Sequence, residues 1–259
     1  MKNFLLENPQ NEIEKIAKFL KEIYQRNGKN KAVIAVSGGI DSALALTLVT
    51  KAIGKDNIFP VFLPFKDQST AESKLIREFN QIPKENWQEF NIAATVESFV
   101  SLLGLEFDQK NNVRLGNIMA RTRMVFVYDL AKKLDALVCG TENKSEKYLG
   151  YFTRFGDEAS DIEPITHLYK AQVRQLAQVL NLPKQFLTQA PSAGLWKGQT
   201  DEEELGFSYD QADQVLYQLI DLKKDENEIK VEGLADELVK KIIDRVKGVA
   251  FKQQVPYHL

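Results

Sequence analysis

Cysteine and histidine are nearly missing from this 259-residue chain, which holds one Cys (Cys139) and two His (His167 and His258). So few sulfur and imidazole groups exclude a disulfide framework and argue against a Cys/His zinc site. Neither histidine has a serine or cysteine in a triad-like local motif, so both are expected to be structural or exposed. Charge of one sign is missing too: 34 Lys and Arg against 36 Asp and Glu leave a net −2. That balance gives no global reason to expect nucleic acid or a membrane surface as a partner. No apolar run approaches the roughly 20 residues of a membrane span. The N-terminus has neither a long apolar segment nor a small-residue cleavage site, so no signal peptide is expected. Gly-Lys-Ser/Thr is absent, which disfavours phosphoryl transfer on a Walker loop. No repeat, low-complexity tract or long linker divides the chain, and residues 1–259 are expected to form a single domain. A cytoplasmic, reducing setting fits these absences.

What is present is an alternation. Short apolar, β-branched runs at 32–36, 58–63, 87–92 and 136–139 predict strands. Between them, residues 41–53, 69–80, 95–103 and 118–134 predict helices, and Ile13, Ile16, Ala17, Leu20, Ile23 and Tyr24 predict another before Gly28. This order argues an α/β fold with a doubly wound, parallel, Rossmann-like sheet, which binds ligands at the carboxyl ends of its strands. Beyond Pro164 the pattern turns helical, at 168–180, 209–222 and 234–247, with a loop-rich stretch around 190–200.

Ser37-Gly38-Gly39-Ile40-Asp41-Ser42 sits between the first strand and its helix. Two glycines let the backbone approach a phosphate, the helix N-terminus favours negative charge, and the hydroxyls of Ser37 and Ser42 add donors. Asp41 is the odd member. A carboxylate beside phosphates repels them unless a cation such as Mg²⁺ lies between, so the loop is expected to hold a metal–nucleotide polyphosphate.

Three further constellations stand out. Asn117 is the expected N-cap of a helix carrying Arg121 and Arg123, which lie about 200° apart around it. One can reach a ligand while the other pairs with a carboxylate; the alternative is two solvated arginines. Gly140-Thr141 follows a strand, and Glu146 beyond it can bring a second carboxylate to the metal that Asp41 serves, unless Glu142 and Glu146 are only surface charges on a short helix. Residues 150–157 mix aromatics, glycines and charge without a period, as binding loops do.

The Ser37–Ser42 loop resembles that of the ATP pyrophosphatase superfamily. Together with Gly116-Asn117, Ala120-Arg121-Thr122-Arg123-Met124, Gly140-Thr141, Asn143-Lys144-Ser145-Glu146, Gly150-Tyr151-Phe152-Thr153, the 191–196 run Pro-Ser-Ala-Gly-Leu-Trp and the 198–206 run, it resembles the ammonia-dependent NAD synthetases over nearly the whole chain. The resemblance implies a homodimeric ligase acting on small molecules. In it, ATP adenylates the nicotinate carboxylate of deamido-NAD, and ammonia then yields NAD and AMP. It assigns ATP to Ser37, Gly38, Gly39, Ile40, Asp41, Ser42, Thr141, Lys170 and Ser192. Mg²⁺ falls to Asp41 and Glu146, catalysis to Asp41 and Lys170, and deamido-NAD to Arg121, Arg154, Asp161, Phe251 and Lys252. Three positions depart from the family pattern: Arg154 for lysine, Glu158 for glycine, and Phe251 for histidine. The rivals are the same chemistry on nicotinic acid mononucleotide, RNA thiolation, and a non-catalytic nucleotide sensor. RNA thiolation would want more cysteines and a basic face.

Overall fold

The structure, a computed structural model, describes residues 4–192 and 198–257. His258 and most of the 191–196 run therefore lie outside the described residues. The chain runs α1 (Pro9–Arg26), β1 (Ala32–Ala35), α2 (Ile40–Ile53), β2 (Ile58–Phe62), α3 (Ala71–Phe79), β3 (Gln88–Glu89), α4 (Ala93–Leu102), α5 (Asn112–Leu134), β4 (Leu137–Cys139) and α6 (Lys144–Leu149). It continues through α7 (Lys170–Val179), α8 (Lys184–Thr188), α9 (Asp201–Leu205), α10 (Tyr209–Leu216) and α11 (Asp236–Val249).

The four strands are parallel in the order β3-β2-β1-β4. Their side chains alternate between two apolar layers. Ala32, Ile34, Ile58 and Cys139 pack with α1, α2 and α7. Val33, Val61 and Val138 pack on the other face with α4 and α5. Strands buried on both faces need continuous apolar runs, which is why Ala-Val-Ile-Ala shows no polar alternation. A third apolar group, with Tyr169, Tyr209, Ala212, Leu216 and Ile242, joins α6, α10 and α11.

The strand order reverses at β1. The chain moves outward through β2 and β3, then returns to place β4 on the other side of β1. Parallel sheets open a ligand crevice at such a switch point. Here it lies between the Ser37–Ser42 loop after β1 and the Gly140-Thr141 turn after β4.

The predicted strand at 87–92 shrinks to two residues. Beyond Glu89, pairing survives as single bonds from Phe90 N to Phe62 O and from Ile92 N to Pro64 O. Pro64 has no N–H to return, so the regular ladder stops at the sheet edge. Asn117 is not an N-cap. The helix begins at Asn112 with Asn111 ahead of it, because burial of Leu115 and Met119 outweighs the cost of about 1 kcal/mol for Gly116 within a helix. Asn117 instead accepts a hydrogen bond from Thr153 Oγ1 (2.8 Å). The helix predicted over 209–222 is α up to Leu216, then a π-helical turn over Tyr217–Asp221.

Candidate active site

The turn after β1 takes its shape from Gly38, whose φ of +93° is strained for any residue with a Cβ. A Cβ there would also meet Glu72 Cβ at 3.3 Å. Ser37 Oγ accepts from Gly39 N (3.2 Å), and Ser42 Oγ donates to Gly39 O (3.0 Å). Ser73 of α3 holds the turn from behind, donating to Val36 O (3.1 Å). Gly39 precedes α2 and offers no side-chain cap to the helix. The N–H groups of that first turn are therefore available to an anion.

Asp41, in the first turn of α2, meets Lys170, the first residue of α7, and Glu146 of α6. Lys170 Nζ lies 2.6 Å from Asp41 Oδ2 and 2.9 Å from Glu146 Oε1. The lysine is 2% exposed and its ammonium lies 4.9 Å from the centre of the Tyr209 ring. Burial pulls the ammonium down, but the two carboxylates more than reverse this and hold Lys170 charged. Burial pushes Glu146 upward, with Lys170 opposing and Asp41 adding to the rise. Two carboxylates around one ammonium leave an excess negative charge, in a place where removing one partner of a buried ion pair costs about 3–5 kcal/mol. Asn143 completes the group. Its Nδ2 donates to Asp41 Oδ1 (2.8 Å), while its Oδ1 caps α6 by accepting from Glu146 N (3.0 Å). Asp41 and Glu146 thus converge, and the charge between them is the Lys170 ammonium.

Glu142 is not a surface charge either. Burial, then neighbouring Glu163, push it up to about 9, and burial raises Glu163 to about 7. Glu163 accepts from Glu142 N (3.1 Å) and Ser160 Oγ (2.8 Å). Its carboxylate lies against Gly140, where a Cβ would stand 1.8 Å from Oε1. This is why the turn after β4 begins with glycine.

Of the residues assigned to the second substrate, Arg121, Arg154, Phe251 and Lys252 gather around the 150–155 loop. Arg121 donates Nε and Nη2 to Arg154 O (3.2 and 3.1 Å). The Arg154 guanidinium lies over both Phe155 (5.6 Å) and Phe251 (5.8 Å). Glu158 accepts from Phe155 N (2.8 Å). All three departures from the family pattern therefore meet in one cluster. Lys252 Nζ donates to Gly150 O and Phe152 O, both at 2.5 Å, and so ties the C-terminal segment to the 150–155 loop. Asp161 accepts from Val138 N (2.7 Å), at the edge of β4. Thr141 is half-buried at the turn after β4, and exposed Ser192 donates to Gln199 O (2.7 Å).

Arg123 donates its Nε and Nη2 to Leu63 O (3.0 Å) and Gln68 Oε1 (3.2 Å), joining α5 to the end of β2, and has no carboxylate partner among the described residues. Burial lowers it to about 10.

A sequence model described as NAD synthase matches residues 12–256. The chain belongs to the NAD synthase family. It is 42% identical over 246 residues to the NH(3)-dependent NAD(+) synthetase of Thermococcus kodakarensis, covering 94% of each chain. Among solved structures it resembles NMN synthetase from Francisella tularensis, with a TM-score of 0.82, 31% identity, and coverage of 97% of this chain and 98% of that one. It also resembles the NH3-dependent NAD synthetase of Campylobacter jejuni in complex with the nitrate ion, with a TM-score of 0.78, 29% identity, and coverage of 97% and 99%. In this NAD synthase-family chain, sequence reasoning gave no role to Asn143, Ser145, Tyr209 and Asp213 around Lys170. Asn143 had a legible signal, a capping side chain at a strand-to-helix junction. So did Asp213, a carboxylate on the apolar stripe Tyr209, Ala212, Leu216.

Proposed function

We propose that this chain is an ammonia-dependent ligase that makes NAD from deamido-NAD at the expense of ATP. The observation that carries the proposal is the convergence of Asp41, Glu146 and Lys170 beside the glycine loop, at the switch point of the sheet. A carboxylate is a poor acyl donor until it is given a leaving group. The nicotinate carboxylate attacks the α-phosphorus of ATP and expels pyrophosphate. Ammonia then attacks the mixed anhydride carbonyl and expels AMP. The α2 N-terminus, Gly38, Gly39 and the hydroxyls of Ser37 and Ser42 receive the phosphates, with Ile40, Thr141 and Ser192 as further ATP contacts. Lys170 neutralises charge as pyrophosphate departs. Arg121, Arg154, Asp161, Phe251 and Lys252 receive deamido-NAD.

The donor set fits Mg²⁺. Asp41 and Glu146 offer hard oxygens near enough to share one cation, as their contacts with Lys170 demonstrate. They would hold the ion, which supplies charge neutralisation at the phosphates when bound. The buried Cys139 thiol, pushed well up by burial, offers no nucleophile for releasing ammonia from glutamine and fits a reducing, cytoplasmic setting. No helix among the described residues is long and apolar enough to cross a membrane.

The proposed assembly is a homodimer. Phe99, Leu102, Leu103, Phe107, Val113 and Val125, on and between α4 and α5, are exposed large apolar side chains, which soluble chains usually cover. Sedimentation equilibrium should give twice the 29.5 kDa chain mass, and a monomer at working concentration removes the assembly. Likeness to an NMN synthetase favours one second reading, the same amidation on nicotinic acid mononucleotide. The first test incubates protein, ATP, Mg²⁺, ammonium and deamido-NAD. Equal amounts of AMP and NAD are expected, with no NAD when glutamine replaces ammonium; AMP without NAD would refute the proposal.

A further inference from the structure

We infer that Asp213, a buried carboxylate on α10, is a positioning residue that holds Lys170 and Glu146 in their working geometry through Ser145. Asp213 and Ser145 are both 0% exposed. The Asp213 carboxylate accepts from Ser145 Oγ (2.5 Å) and from Ala171 N (3.0 Å), and Ser145 Oγ in turn accepts from Lys170 N (2.9 Å). Helix N-termini begin with N–H groups that lack intrahelical partners. Here the first two of α7, on Lys170 and Ala171, are satisfied by this one carboxylate and its serine relay. Ser145 immediately precedes Glu146 in the first turn of α6. A single carboxylate thus fastens the two helix starts that carry two members of the cation site.

The rest of the same element grips the same pair of helices. Asp221, ending the π-helical turn, accepts from Tyr169 Oη (2.8 Å) and pairs with Lys144. Asp210 pairs with Arg174 of α7 (3.0 Å). Three carboxylates of one segment therefore face α6 and α7, and Asp213 is the innermost. An apolar residue like its neighbours Ala212 and Leu216 would fill the space. It would also leave Ser145 Oγ and Ala171 N buried without an acceptor, which is costly. None of these Asp213 bonds reaches a reacting group. Its effect passes through the placement of Lys170 and Glu146, where a shift of about 1 Å can cost about 10²-fold in rate.

This inference rests on the proposed ATP and Mg²⁺ site, and its test reads binding as well as turnover. Asp213→Asn and Ser145→Ala, singly and together, should be compared with the unaltered chain by calorimetric titration of ATP at several Mg²⁺ concentrations, by kcat and KM, and by Tm. Each single variant should need roughly tenfold more Mg²⁺ for half-maximal ATP binding and lose at least about tenfold in kcat, with KM for deamido-NAD within about twofold. The double variant should fall no further than the worse single, because both cut one relay. Lower Tm with unchanged Mg²⁺ requirement and kcat per folded molecule would overturn the inference, as would additive losses. If Asp213→Asn does not fold, Ser145→Ala decides alone. An unaltered chain inactive on deamido-NAD would refute the substrate, while the Mg²⁺ and ATP titrations would still judge Asp213.

Discussion

Lys170 gathers the chemistry of this molecule at the residue scale. Its ammonium is buried, which is costly unless opposite charges meet it, and Asp41 and Glu146 do so within 2.9 Å. Asp41 sits where an all-donor phosphate loop has no use for a carboxylate, and the partner cation accounts for it. Asp41→Asn and Glu146→Gln should each lower kcat by orders of magnitude with retained circular dichroism; near-normal rates at saturating Mg²⁺ would remove the metal assignment. Glu163 gives a pH test on another side chain. Its ordinary value of 4.5 rises to about 7 in the fold, so between those values the native state binds more protons than the unfolded chain. The contribution is present below about 4.5 and lost as pH rises through about 7. Glu163→Gln should therefore show a smaller fall in Tm from pH 5 to pH 8 than the unaltered chain, and an equal fall would contradict the assignment.

At the scale of elements, the glycine loop and the strands around it were legible because their signals are local. An apolar β-branched run, two glycines and a helix ending at Gly54 need no distant partner to be read. Asp213 drew no reading and the role of Arg123 stayed open, since each answers to elements far along the chain: Asp213 to α6 and α7, Arg123 to the end of β2. Asn117 misled because its N-cap chemistry was overridden by burial of Leu115 and Met119. The short β3 depended on Pro64 in a neighbouring segment. The cluster of Arg154, Phe155, Glu158 and Phe251 shows the same limit. The sequence marks three separate departures, and the fold makes them contacts of one loop and the C-terminal segment. Phe251 lies over the Arg154 guanidinium, an exposed cation–π contact worth about 0.5–1 kcal/mol. Phe251→Ala should raise KM for deamido-NAD about two- to fivefold with little change in kcat. Phe251→His should lie closer to the unaltered chain. Unchanged KM in both would detach this cluster from the substrate.

At the scale of the molecule, topology places the chemistry. The sheet reverses between β1 and β4, so the turns after those strands open side by side, and α6, α7 and α10 bring the ion pair and its supports to that opening. Residues 41, 146 and 170 are widely separated in sequence, and only the parallel order β3-β2-β1-β4 with its C-terminal helices unites them. The same architecture serves relatives that bear the names NAD synthetase and NMN synthetase, so the fold alone does not fix the choice of substrate; under the proposed function that choice falls to the 150–161 loop and the C-terminal segment. Under that proposal, contacts to the adenylate half of deamido-NAD set the choice. The most direct measurement is kcat/KM for deamido-NAD and for nicotinic acid mononucleotide, taken in parallel with ATP, Mg²⁺ and saturating ammonium. The account predicts the higher value for deamido-NAD, with one AMP formed per NAD; a higher value for the mononucleotide would contradict it.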